Sequence, residues 1–160
     1  MRVARGFAVA LIAIAVLVAA PLPARADVDD FTFESLDVDY TLERDDSGAS
    51  VVRVVERFVA LFPEIDQNRG MQRILPDSYQ GAPLDPELIS ITDGDGAPRA
   101  TEVSQEDGAV TFTSRADDYV HGRQTYVFEY TLRNVTRNFA DTGADEFYWD
   151  VNGVDWAQPF

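Results

Sequence analysis

Cysteine and lysine are both missing from this chain of 160 residues, and histidine occurs once. Without cysteine there is no disulfide staple and no thiol nucleophile, so stability has to come from burial. Without lysine, Schiff-base chemistry on a lysine side chain is excluded. The single histidine, His121 in DDYVHGRQ, has no second histidine with which to share a metal ion and reads as a loop residue. Positive charge is scarce: 13 arginines stand against 28 acids, for a formal charge of −15. A surface of that sign repels nucleic acid and anionic headgroups, which are bound through Lys and Arg. The acids are spread along the chain, as on a solvated surface, rather than gathered into a tail. There is no glycine-rich phosphate loop and no nucleophile elbow.

Long apolar runs are also missing, with one exception at the start. MRVAR, GFAVALIAIAVLVAA and PLPARA have the order of a secretory signal: Arg2 and Arg5, an apolar stretch over residues 6–20, then the small residues Ala24 and Ala26 around Arg25. Cleavage after Ala26 would make Asp27 the first mature residue. The rival reading is an uncleaved anchor, against which Pro21 and Pro23 would break the helix. Three of the arginines and none of the acids precede Asp27, which leaves 10 arginines against 28 acids and a formal charge of −18 on residues 27–160. That length is one domain's worth, enough to bury roughly two-thirds of the surface the unfolded chain exposes.

From there the dominant period is two. Phe31 and Phe33, then Leu36, Val38, Tyr40 and Leu42, alternate with polar residues, with a phase slip at Ser35 that suits a bulge. RDDSG is turn chemistry. ASVVRVVERFVALF could line one face of a helix, but its β-branched start and the short turn before it favour an antiparallel strand. ELISI, RATEV and AVTFTS, punctuated by Asp-Gly turns, have the spacing of an all-β sandwich. QTYVFEYTLR is the clearest strand, with Tyr126, Phe128, Tyr130 and Leu132 on one face. NFADTGAD is a polar stretch. EFYWDV reads as another alternating strand, followed by a tight turn at Asn152-Gly153 and a returning strand at Val154 and Trp156. Residues 63–86 form the longest stretch without a clear strand pattern; within it, Arg69 and Arg73 are either internal counter-charges or an electropositive patch for an anionic partner, and the acidity of the chain favours the internal role.

Candidates for chemistry are few. TDGDG, residues 92–96, has alternating carboxylates, but a calcium loop counted from Asp93 needs a Glu where Ser104 stands, so a hairpin turn is the better reading. Asp150 and Asp155 are the one acid pair that could be nominated for glycosidase chemistry. Asn134-Val135-Thr136 matches the glycosylation sequon and is read as a chance match.

DVDYTLERDDSGASVVRVVERF, RGMQRILP, GRQTYVFEYTLRNV and EFYWDVNGVDW, in that order behind an export signal, closely resemble the N-terminal domain of a bacterial predicted membrane protein family, domain of unknown function 2207. The most specific parts are Arg69-Gly70 with Arg73 and Pro76, the strand from Tyr126 to Tyr130, and Trp149, Asn152, Gly153 and Trp156. The resemblance implies an extracytoplasmic β-sandwich, immunoglobulin-like in general architecture, anchored by helices further along, with no established activity and no catalytic residues to carry over. Because the chain stops at Phe160, before those helices, a truncated copy is expected. The function expected is non-catalytic binding or scaffolding in the cell envelope, without cofactor or nucleic acid, the partner being an envelope protein or a glycan. The alternative is an extracellular carbohydrate-binding or carbohydrate-active module.

Overall fold

A computed structural model describes residues 30–151 and residue 158. The export segment with Ala24, Ala26 and Asp27, and the residues Asn152, Gly153 and Trp156, lie outside that range. The described residues form eleven strands and no helix: β1 (Thr32–Arg44), β2 (Ser50–Phe62), β3 (Gly70–Pro76), β4 (Ser78–Tyr79), β5 (Ala82–Pro83), β6 (Glu87–Thr92), β7 (Thr101–Glu106), β8 (Ala109–Arg115), β9 (Gly122–Arg133), β10 (Thr136–Phe139) and β11 (Ala144–Phe147). Every pairing is antiparallel.

Two sheets make the body, one ordered β1-β2-β9-β6 and the other β3-β8-β7, with β4–β5 and β10–β11 as separate ribbons. Their inner faces share one core. Val52, Val54, Phe58, Tyr126, Phe128 and Tyr130 from the first sheet cluster with Met71, Leu75, Val110 and Phe112 from the second. The Phe112 and Tyr130 rings meet across the interface at 5.6 Å. Full burial of each such large apolar side chain is worth about 1.5–3 kcal/mol. The molecule is thus the all-β antiparallel sandwich anticipated from the alternation.

Local chemistry sets the turns. Asp45 Oδ1 accepts hydrogen bonds from the backbone N–H groups of Ser47 and Ala49, at 2.9 and 3.0 Å, which closes the β1–β2 hairpin. Asp93 repeats the device with Asp95 and Ala97, both at 2.9 Å. The TDGDG segment is therefore a turn whose first carboxylate is occupied by backbone donors. The ladder between β1 and β2 shifts register between Phe33 and Ser35, where the phase slip was expected.

Three segments depart from the sequence reading. Residues 63–86 are not a loop throughout: Met71, Arg73 and Leu75 of β3 alternate inward with exposed Gln72 and Ile74. The pattern is disguised because an arginine holds a core position. The polar stretch NFADTGAD contributes to a hairpin between β10 and β11. EFYWDV is a strand only as far as Phe147, where ladder pairing among the described residues ends. Beyond it the alternation continues without a ladder partner among the described residues: Phe147 and Trp149 pack against the core, whereas Tyr148 is 75% exposed.

Candidate functional site: a cleft along the edge of β3

Strand β3 has β8 on one side and no described neighbour on the other. Which of its backbone groups face the open side follows from the ends of the ladder. Ala116 N–H donates to Arg69 O at 2.7 Å, and Asp77 N–H donates to Gly108 O at 2.9 Å. The register between them runs unbroken from Gly70 opposite Arg115 to Pro76 opposite Ala109. Antiparallel alternation then assigns the N–H and C=O groups of Met71, Arg73 and Leu75 to β8. Those of Gly70, Gln72 and Ile74 turn outward. The Ile74 carbonyl takes a 3.3 Å hydrogen bond from Arg73 Nη1.

Beside this edge lies a cleft of about 1100 Å³, lined by all of β3. Arg69, Arg115 and Tyr119 stand at one end of it, Tyr79, Gly108 and Ala109 at the other, and Tyr148, Trp149 and Asp150 form part of its wall. Two backbone features shape the first end. Gly70 has φ +143°, and a Cβ there would come within 1.9 Å of Ser114 O, so no side chain fits. The Arg69 guanidinium lies 4.3 Å from the centre of the Tyr119 ring. Both side-chain polar atoms of Gln67 and the indole Nε1 of Trp149 are buried at the cleft without hydrogen-bond partners.

Charge in the cleft runs against the rest of the chain. Arg69, Arg73 and Arg115 line it, with Asp150 as the single acid among the described residues. Arg73 is committed inward: its Nε donates to Glu56 Oε2 at 2.8 Å and its Nη2 to Glu56 Oε1 at 2.9 Å, with Arg73 7% and Glu56 0% exposed. Arg69 and Arg115 have no carboxylate partner among the described residues, although Arg44, Arg53, Arg123 and Arg133 all do. A smaller hollow of about 420 Å³ touches Arg44 and Arg137. There the cations are occupied, Arg44 by Asp145 and Arg137 by the carbonyls of Tyr79 and Gln80.

Below the cleft, the buried ion pair perturbs its neighbours. Burial on its own pulls the Arg73 guanidinium down, and the charge and hydrogen bonds of Glu56 more than offset it, so the net shift is upward. Burial, reinforced by Glu56, pushes the Tyr130 phenol well above its usual value. Its hydroxyl is buried beside both ions without completing a well-aligned hydrogen bond. Tyr40, on β1, is pushed up to about 12 by burial and then by Glu56.

The structure thus gathers Arg69, Gly70, Arg73, Pro76 and Trp149 around one cleft. Tyr130 belongs to the layer beneath. Tyr126 is elsewhere in the core, with Arg99 4.1 Å above its ring. Asn152, Gly153 and Trp156 lie outside the described residues. His121 sits in a loop with Nε2 3.0 Å from Asp66 Oδ1. Asp150 reaches the cleft wall, and Asp155 is outside the described residues. Sequence reasoning missed Glu56, Gln67, Arg115 and Tyr119. Only Glu56 carried a signal, as an acid in an inward-facing phase of an otherwise apolar strand.

A family model for the N-terminal domain of the predicted membrane protein DUF2207 matches residues 32–160. The chain belongs to this family. The match spans every strand of the DUF2207 domain and so includes both walls of the cleft. The family's description fits a membrane-associated protein, and no helix among the described residues is long and apolar enough to cross a membrane. No curated protein and no solved structure matches the chain.

Proposed function

We propose that the domain is the exported, extracytoplasmic part of a membrane-anchored envelope protein and acts by binding, without catalysis, through the β3 cleft. The observation that carries this reading is the pair Arg69 and Arg115. Neither has a carboxylate partner among the described residues, and both line the same cleft. Unmet polar atoms on Gln67 and Trp149 add recognition groups to an apolar wall, the composition expected of a binding site. Among the described residues Asp150 is the single acid lining the cleft and Glu56 is held by Arg73, so no described pair of carboxylates is placed there for acid–base chemistry. A sugar platform would want a coplanar exposed aromatic row. Tyr148 is exposed, but Trp149 packs into the core.

These 160 residues contain no cysteine, and with any cysteine elsewhere in the full-length protein replaced by serine, an introduced cysteine is the sole thiol. Val103→Cys, on the exposed strand β7, and Gln72→Cys, in the cleft, would be placed in the full-length membrane protein and treated with a membrane-impermeant maleimide. On cells with a sealed cytoplasmic membrane, Val103→Cys labels, whereas Gln72→Cys is protected and becomes reactive once the protein is purified. Failure of Val103→Cys to label overturns the extracytoplasmic placement. Equal labelling of Gln72→Cys in cells and in the purified protein overturns occupancy of the cleft.

A further inference from the structure

The class of partner follows from what the cleft offers, on the reading that it is a binding site. We infer that it takes an extended acidic peptide, which adds as a strand to the edge of β3 that has no neighbour among the described residues and places its carboxylates between Arg69 and Arg115. Three observations converge. First, Gly70, Gln72 and Ile74 direct backbone N–H and C=O groups into the cleft, and an extended chain is the ligand that pairs with such a row. β3 is seven residues long, about 23 Å at about 3.3 Å per residue, which matches a peptide of similar length.

Second, the charges lie at one end of that row. Arg115 is the ladder partner of Gly70, and Arg69 is the residue before it. The two guanidinium groups have no carboxylate within the described chain, and Tyr119 holds one of them by its ring face. An acidic terminus or a cluster of acidic side chains complements them. The strongly acidic composition of the chain as a whole disfavours acidic partners elsewhere.

Third, the edge is guarded at its other end. Pro76 has no N–H to donate, and Arg73 Nη1 touches the Ile74 carbonyl. These features limit how far a strand can extend and oppose sheet-to-sheet association between copies. Ile74, 57% exposed, and Trp149 leave apolar contact for alternate side chains of the guest strand.

The test uses a fluorescein-labelled heptapeptide of alternating valine and threonine that ends in two glutamates, read by anisotropy against the purified protein. The same peptide ending in two glutamines is the charge control. Two N-methylated versions, with methyl groups on alternate amides in opposite phase, test strand addition. The acidic peptide is expected to bind at least about tenfold more tightly than the amide control, and Arg69→Gln and Arg115→Gln each to weaken it by about tenfold. One N-methyl phase abolishes binding and the other does not. Equal affinity of the acidic and amide peptides overturns the inference, as does indifference to N-methylation in both phases. Displacement of the peptide by a uronic-acid oligosaccharide that itself binds more tightly overturns it in favour of an acidic glycan. Arg115→Gln lies at the end of β8 and is exposed, so it reports on binding even where Arg69→Gln disturbs the fold. Should the heptapeptides fail while Gln72→Cys is protected in cells, the peptide assignment falls and the cleft stands; should both fail, the binding site falls with it.

Discussion

Arg73 reaches from one sheet of the sandwich to grip Glu56 on the other through two hydrogen bonds of 2.8 and 2.9 Å, both side chains being all but inaccessible to water. A carboxylate in the middle of β2, between Val54 and Phe58, would not stay in an apolar core without such a partner. The pair therefore fixes how β3 docks on β2 and, with it, one wall of the cleft. As a net contribution to stability it is modest, because desolvation of both ions offsets much of their attraction.

Removing one partner is a different matter. Arg73→Gln should destabilise the domain by about 3–5 kcal/mol, leaving Glu56 buried and uncompensated, whereas Arg73→Met combined with Glu56→Leu should recover most of that loss. Arg69→Gln, which gives up an exposed cation–π contact, should lower stability by about 0.5–1 kcal/mol. Urea unfolding midpoints of the four proteins check the ordering. Equal effects of Arg69→Gln and Arg73→Gln would contradict it.

Gly70 sits where β3 begins, and its substitution should be felt through the backbone. Gly70→Ala forces a side chain into φ +143° and against Ser114 O, so a loss of about 2–3 kcal/mol or more is expected. Gly48→Ala is the control for glycine as such, because its φ of +83° is strained but nothing lies within 4 Å. The thermal midpoint should fall further for Gly70→Ala.

Two buried tyrosines, Tyr126 and Tyr130, and the partly buried Tyr40 should set the alkaline limit of the fold. Tyr40 is raised to about 12, and Tyr126 and Tyr130 are also raised, by burial first in each case. A folded-state pKa above the unfolded one stabilises fully below the unfolded value, about 10, and that stabilisation is lost as pH rises through the folded value. Thermal midpoints should hold up to about pH 10 and decline above it, with tyrosinate absorbance appearing together with unfolding. Tyr40→Phe should flatten the decline. Tyrosinate signal from all three residues at pH 10 in folded protein would contradict the burial argument.

The acid side has its own marker at the β1–β2 turn. Asp45 is lowered to about 2, first by the Ser47 hydroxyl, with further bonds from the backbone of Ala49 and from Arg133. A depressed carboxylate stabilises above its unfolded pKa, about 3.9, and that contribution is lost as pH falls through the folded value. Asp45→Asn should therefore remove part of the pH dependence of stability between about pH 4 and 2, measured by urea unfolding.

The strands β1, β2 and β9 were legible because one face of each meets the core, so burial imposes a period of two on the residues themselves. Glu56 and Arg73 were misread for the same reason. Each occupies an inward-facing position, and polarity hides that position until the partner across the sheet interface is known. In RGMQRILP this was enough to conceal β3. TRNF, in β10, has no fully buried residue and so little pattern to find. EFYWDV alternates as a strand should, and Phe147 and Trp149 do face the core, but hydrogen-bonded partnership belongs to the neighbouring chain segment and is not written in the alternation. The cleft was hidden on the same ground. Arg69, Arg115 and Tyr119 come together only through the β3–β8 register, and an open strand edge is a property of topology.

Amide hydrogen exchange followed by NMR distinguishes the two sides of β3, whose outer edge has no neighbour among the described residues. In the isolated protein the N–H groups of Gln72 and Ile74 should exchange quickly, whereas those of Arg73 and Leu75, bonded to β8, should be protected to the level of the core. Addition of the acidic heptapeptide should slow Gln72 and Ile74 by at least about a hundredfold and leave Arg73 and Leu75 unchanged. Protection of Gln72 and Ile74 in the isolated protein equal to that of Arg73 would show the edge already covered and would contradict the account.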